Sequence, residues 1–308
     1  MRWFHLCLVV AGLLACPVTK ALAKPLKPKH PVLYVVGLGD AGNITWKDFT
    51  HALVGSTHPR YGEGKFWAQA KNDSGPPGRV ISEIDRLLPE LQKNFFETFK
   101  PRGVSEASQV KVVLYGRSYG AVLVRDYLSR HTTDNAISGV LMEAGPFKGA
   151  EIANLAFLPN ALLWTGIGAT MASGKPWYSL ISVAGLVVPF VMDRMYGLNL
   201  DAGGIYALRP TSVYLRQLKH KPLPTHITYV NVIQTSADIP AAVLNWVRFN
   251  RSKSDGVVSV ASQRLGPEVV SNFEDINITQ VNGQVFHWSI PEESLASIRP
   301  YLVKLLIN

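Results

Sequence analysis

Short apolar runs bounded by turn residues alternate along the chain with stretches whose apolar side chains recur at helical spacing. Pro31-Val32-Leu33-Tyr34-Val35-Val36 is the first run and reads as a buried strand. Val110-Lys111-Val112-Val113-Leu114-Tyr115, Ile137-Ser138-Gly139-Val140-Leu141-Met142, Ile227-Thr228-Tyr229-Val230-Asn231-Val232-Ile233 and Ile276-Asn277-Ile278-Thr279-Gln280-Val281 repeat the pattern. Between them, Val80, Ile84, Leu87, Leu88, Leu91, Phe95 and Phe99 make one apolar helical face,. Pro89 interrupts that face and predicts a kink or two short helices,. Helices are also expected around Thr45 to Leu53, over Ala121 to Arg130, and at the end. There Pro291-Glu292-Glu293 opens a segment with Leu295, Ile298, Leu302 and Leu305 on one side,. Gly55 to Pro77 is polar, rich in Gly and Pro, and reads as loop,. Strands alternating with helices predict an α/β fold: a mostly parallel sheet flanked by helices on both faces.

One region departs from this alternation. No charged residue occurs from Ile152 to Gly174, nor from Pro176 to Met192. The first stretch has the length of a membrane span, but Asn154, Pro159, Asn160 and several glycines argue against one,. A span there would also divide the strands between two sides of a membrane. The remaining readings are a buried helical hairpin and a mobile lid that meets lipid. Either way this is an insert, at about 152–207, in one domain over 31–308.

The N-terminus changes the picture of where that domain works. Arg2 precedes a mostly apolar Trp3 to Val18, and Ala21-Leu22-Ala23 matches an A-x-A cleavage site,. Residues 1–23 therefore read as a Sec-type signal peptide, and 24–30 as a Pro/Lys linker, which implies a secreted or periplasmic protein. Cleavage after Ala23 would remove both cysteines, Cys7 and Cys16. Leu13-Leu14-Ala15-Cys16 offers a competing reading as a lipobox, with lipoprotein anchoring through Cys16. The net charge of +9 comes from scattered basic residues and not from a dense block, so no nucleic-acid partner is implied,. At 47% hydrophobic and 17% charged, the chain is globular and not disordered,.

The chemistry centres on Gly116-Arg117-Ser118-Tyr119-Gly120. A pentapeptide of this form arises by chance in roughly one chain in ten of this length, so the string alone is weak. Its setting between an apolar strand and a helix is what marks a nucleophile elbow, with glycines flanking a serine held at a tight apex. A serine hydroxyl needs a base, usually histidine, oriented by a carboxylate. Four histidines follow Ser118: His131, His220, His226 and His287. His287, in the loop after the last strand, is the candidate base. Asp238 and Asp255 compete for the acid, and Asp255, at the head of a sharply turning Asp-Gly-Val-Val, is preferred. The glycine-rich Gly37-Leu38-Gly39-Asp40-Ala41-Gly42 fits neither a dinucleotide nor a P-loop spacing,. Paired with the elbow, it can bring backbone donors to an oxyanion, which assigns that role to the N–H groups of Leu38 and Tyr119. No cofactor is needed for such chemistry.

With these residues in place, the chain resembles the lipase branch of the α/β-hydrolase fold. The resemblance rests on the elbow and on Gly145-Pro146-Phe147-Lys148-Gly149-Ala150-Glu151-Ile152-Ala153, similar to the family's T-P-H-R-G-S-x-x-A. It also rests on Leu208-Arg209-Pro210-Thr211-Ser212-Val213-Tyr214-Leu215, similar to L-x-P-G-S-x-F-L, and on Ser254-Asp255-Gly256-Val257-Val258-Ser259-Val260, similar to the acid loop. It extends from about Val32 to His287. It implies an α/β-hydrolase fold with a hydrophobic helical cap or lid around Phe157 to Met192. It further implies Ser118 as nucleophile, Asp255 as orienting acid, His287 as base, and a lipid or other carboxylic ester as substrate, with the lid as the contact to a lipid interface. Acyltransfer or thioester hydrolysis on the same triad, or a non-catalytic lipid-binding homologue, are the alternatives. Two positions depart from the family: Val36 replaces a histidine often found before the oxyanion residue, and Arg117 replaces the histidine often found before the nucleophile.

Overall fold

The computed structural model describes residues 27–38, 53–56, 58–71, 75–133, 135–150, 153, 203–236, 255, 258–266, 269, 273–280 and 292–308. Within them the strands are β1 (Val32–Val35), β2 (Trp67–Ala70), β3 (Val112–Arg117), β4 (Ile137–Glu143), β5 (Thr228–Ser236) and β6 (Phe273–Gln280). The helices are α1 (Pro77–Phe99), α2 (Tyr119–Arg130), α3 (Gly203–Ala207), α4 (Val213–Lys219), α5 (Val260–Gln263) and α6 (Glu292–Ile307). The strands form one sheet in the order β2-β1-β3-β4-β5-β6, and every neighbouring pair is parallel. Parallel strands cannot be joined by tight hairpins, and both faces of such a sheet need cover.

The cover follows from the alternation of side chains along each strand. Leu33, Val35, Val112 and Leu114 pack on one face with Val80, Ile84, Leu88 and Leu91 of α1, with α2, and with Leu215 and Leu218 of α4. Val32, Tyr34, Val113, Tyr115 and Leu141 pack on the other with Ile298, Leu302 and Leu305 of α6. Each fully buried aliphatic side chain contributes roughly 1.5–3 kcal/mol of transfer free energy before ordering costs. The result is a helix–sheet–helix sandwich, as the sequence pattern predicts.

Two expectations change. The segment read as loop over Gly55 to Pro77 contains β2, an edge strand that pairs Val32–Val35 with Trp67–Ala70. Its four residues are too few to show a period and lie among turn formers, so pairing with β1 decides their state. Second, Pro89 does not split the helix: α1 is one element of 23 residues with Pro89 inside it. Proline deprives the Asp85 carbonyl of a donor, but Asp85 and Pro89 are both exposed, where water can take its place,. The helix expected around Thr45 and the uncharged insert fall outside the described residues. No described helix is long and apolar enough to cross a membrane.

The strand order places a switch point between β1 and β3, since the chain runs to β2 on one side of β1 and to β3 on the other. In parallel sheets, ligands bind beyond the carboxyl ends of the strands at such a point. Gly37-Leu38 follow the carboxyl end of β1 and Ser118 follows that of β3, so both residues sit at this crevice.

Candidate active site

Ser118 joins β3 to α2 with φ 53° and ψ −125°. A non-glycine residue with positive φ is uncommon, and such strain persists only where the surroundings enforce it. The flanking glycines show how it is enforced. A Cβ on Gly116 would lie 2.7 Å from the Ala121 Cα, and one on Gly120 would lie 1.9 Å from the Val35 carbonyl oxygen. Only glycine lets α2 start this close to β1 and β3. The Ser118 N–H donates to the Glu143 carbonyl at 2.8 Å, and the Ala121 N–H donates to the Ser118 carbonyl at 3.0 Å. The apex is thereby tied to β4 on one side and to its own helix on the other.

The donor loop lies against this apex. A Cβ on Gly37 would stand 3.1 Å from the Ser118 Cβ and 3.6 Å from its Oγ. The backbone that carries Leu38 therefore passes within contact distance of the hydroxyl. Tyr119 is the first residue of α2, where the helix supplies no acceptor for the N–H, and the positive end of the helix dipole points at the same place,. Leu38 and Tyr119 thus both lie beside Ser118. The Tyr119 ring is buried, and burial, with the Asp126 charge nearby, raises its phenol pKa above the ordinary value.

Asp255 is fully buried beyond the end of β5. Its Oδ1 accepts the Val258 N–H at 2.7 Å, and the Asp255 N–H donates to the Val258 carbonyl at 3.2 Å. This reciprocal pair closes Asp255 onto Val258. Gln263 then links the loop to the sheet. Its Nε2 lies 3.3 Å from Asp255 Oδ2, 3.0 Å from the Gln234 carbonyl and 3.1 Å from the Val258 carbonyl, while its Oε1 accepts the Gln234 N–H at 2.7 Å. A second strap runs from Asn231, whose Nδ2 donates to the Gln263 carbonyl at 2.9 Å and to Asp275 Oδ1 at 3.0 Å. Nothing in the local pattern of Gln263 marked it, because it is recognised only when β5 and the loop come together.

Arg117 also finds its place here. It is 2% exposed, and its Nε lies 4.0 Å from Oε2 of the fully buried Glu143 at the end of β4. The Tyr115 hydroxyl donates to the same oxygen, and the Gln234 amide donates to the other. Burial and the Glu143 charge together push the Tyr115 phenol well above its ordinary pKa. A guanidinium next to Ser118 in the chain is thus matched by a carboxylate from the neighbouring strand, in a network spanning β3, β4 and β5. The sequence shows Arg117 and Glu143 only as two isolated charges in apolar strands.

His287 and Asp238 lie outside the described residues. The flanks of His287 are β6, which ends at Gln280, and α6, which begins at Glu292. His131 closes α2, the end remote from Ser118, where its ring stacks on Tyr127 with centroids 4.2 Å apart. His220 ends α4, and His226 precedes β5, at the amino edge of the sheet. Among the described residues, no group of His, Cys, Asp and Glu side chains could hold a metal ion.

No protein-family model and no curated protein matches the sequence. Solved structures do match. The metagenomic carboxyl esterase MGS0156 aligns over 94% of this chain and 80% of its own, with a TM-score of 0.51 at 14% identity. Phospholipase PlaB from Legionella pneumophila aligns over 77% of this chain, with a TM-score of 0.50 at 13% identity. The chain corresponds to 46% of that phospholipase, less than half its length. Together with the sheet order and the elbow, these matches establish the α/β-hydrolase fold.

Proposed function

We propose that the protein is a serine hydrolase that cleaves carboxylic esters of lipids through an acyl-enzyme on Ser118. The observation that carries this reading is the backbone of Ser118, held at φ 53° between two glycines that admit no Cβ. Strain of this kind is retained where it exposes a reactive group. Support comes also from the buried, doubly held Asp255 and from the donor loop against the serine.

In this reading the Ser118 Oγ attacks the acyl carbonyl while His287 takes its proton. The N–H groups of Leu38 and Tyr119 receive the negative charge that develops on the carbonyl oxygen. Collapse of the tetrahedral intermediate breaks the ester bond, and His287 returns the proton to the departing alkoxide. His287 then takes a proton from water, whose oxygen attacks the acyl group; as the acyl–Oγ bond breaks, His287 returns that proton to Ser118 Oγ and the acid leaves. Asp255 holds His287 in the required tautomer. The domain from 31 to 308, the export signal at 1–23 and the lid at about 152–207 are part of the same proposal, which sets the enzyme at an envelope or extracellular lipid surface.

The test is hydrolysis of short p-nitrophenyl esters by the wild type, Ser118→Ala and His287→Ala. Loss of turnover by a factor of about 10⁴ or more in both variants, with folding retained, is the expected result. Turnover unaffected by Ser118→Ala would overturn it.

A further inference from the structure

Away from the elbow, a cleft of about 320 Å³ opens between α2, α4 and the segment that follows α5. Five cationic side chains line it, Arg125, Lys148, Arg216, Lys219 and Arg264, and among the described residues no carboxylate does. Its walls also include Phe147, Leu215, Leu265 and Val269. Arg125 is 2% exposed and stands seven residues along α2 from Ser118, about 10 Å of helix rise,. Its guanidinium donates to the Leu218 and Lys219 carbonyls at 2.9 and 3.3 Å, which fixes the end of α4 and with it Arg216 and Lys219. Asp126, the next residue to Arg125, is already matched by Arg130 at 2.8 Å and Lys221 at 3.5 Å. Among the described residues, no carboxylate pairs with Lys148, Arg216, Lys219 or Arg264.

Like charges gathered in a concave site with apolar walls focus a strong local potential. Guanidinium forks and ammonium groups converging on one small volume suit the several oxygens of a phosphate better than a single carboxylate. We infer that this cleft binds a phosphate group, either free or as the headgroup of a phospholipid whose apolar part lies along Phe147 and Leu265. The cleft also sits at the neck of the 152–207 insert. Phe147 and Lys148 precede it, Pro210 follows it and lines the cleft, and the Ala150 N–H donates to the Leu208 carbonyl at 2.9 Å between them. Phosphate bound here would touch the segments that lead into and out of that insert. The inference does not depend on the hydrolytic reading, because none of the cleft residues belongs to the catalytic set.

The experiment compares the full protein with a cleft variant, Arg216→Gln/Lys219→Gln/Arg264→Gln, and a control with equal charge loss elsewhere, Lys65→Gln/Lys93→Gln/Lys111→Gln. All six side chains are exposed. One arm titrates inorganic phosphate by calorimetry at fixed ionic strength. The other measures co-flotation with phosphatidylcholine vesicles with and without phosphatidylglycerol. Binding of phosphate points to a free anion, and phosphatidylglycerol-dependent flotation alone points to a headgroup. In either arm the cleft variant should lose roughly tenfold or more in affinity while the control loses much less. If the triple variant fails to fold, Arg264→Gln alone, in a loop, should still weaken binding severalfold against Lys93→Gln. Absence of binding in both arms, or equal losses in cleft and control variants, would overturn the inference. Ester turnover is read in parallel, so that failure here is separable from failure of the hydrolytic reading.

Discussion

Arg117, one residue before Ser118 in the chain, holds its Nε 4.0 Å from Glu143 Oε2, with both side chains almost wholly removed from solvent. A buried ion pair is weak evidence for net stability, but breaking one by removing a single partner is costly, because the other charge is left uncompensated. Glu143→Ala should therefore cost roughly 3–5 kcal/mol. That corresponds to a fall in melting temperature of about 10 °C for a domain of this size. Arg117→Met in the same background should recover part of the loss, since the orphaned guanidinium is then gone. Thermal or urea melts of the two variants check both statements, and a double variant no more stable than Glu143→Ala would show that the pair is not the cause.

Two glycines that pack near Ser118 predict different outcomes. Gly120→Ala places a methyl 1.9 Å from the Val35 carbonyl, and backbone has nowhere to move. The variant should lose about 4 kcal/mol or more and express poorly. Gly37→Ala meets Ser118 Cβ at 3.1 Å, which a shift of a few tenths of an ångström relieves. It should fold, with stability within about 1 kcal/mol of wild type. A small displacement at the reacting atom still costs rate, so ester turnover should fall by roughly 10- to 100-fold. Soluble yield, melting temperature and turnover distinguish the two.

Gln263 is a positioning residue. It spans Asp255, Val258 and both backbone groups of Gln234. Gln263→Leu should cost roughly 1–3 kcal/mol from the unsatisfied buried groups it leaves. If its role is to hold the acid, kcat should fall several-fold with KM nearly unchanged, and the acid limb of the pH–rate profile should shift. A stability loss with an unaltered profile would make it structural only.

Much of this was legible before any coordinates. The β1, β3, β4, β5 and β6 strands, the α2 helix and the terminal helix follow from short β-branched runs and 3.6-residue periodicity, which the local chain encodes. The strand at Trp67–Ala70 was not, because four residues take their state from pairing with β1. The residues that tie the site together were not legible either. Glu143, Gln234 and Gln263 come from three separate segments, and their roles exist only in the register of β3, β4 and β5. Arg117 shows the same limit from the other side: its partner lies 26 residues along the chain, one strand away.

Asp126 carries the pH dependence. It is fully buried, and burial alone would raise its pKa. The hydrogen bonds and charge of Arg130, with Lys221, outweigh burial and hold the carboxyl below its ordinary value. The folded state thus binds fewer protons than the unfolded one as pH falls through the carboxylate range. Its stabilisation is complete at neutral pH and is lost below about pH 4, as the carboxyl protonates. Asp126→Asn should destabilise the protein by roughly 1–3 kcal/mol at pH 7 and make the acid limb of stability less steep. Urea melts between neutral and acid pH test this, and a variant as acid-labile as wild type would contradict it.

The proposed hydrolysis requires a reactive hydroxyl at Ser118. Its most direct test is labelling of the folded protein with a fluorophosphonate, followed by peptide mass mapping. One adduct on the peptide that carries Ser118, lost in folded Ser118→Ala, is the predicted result. A folded wild-type protein that takes no label, or a Ser118→Ala variant that labels as well as wild type, would contradict it.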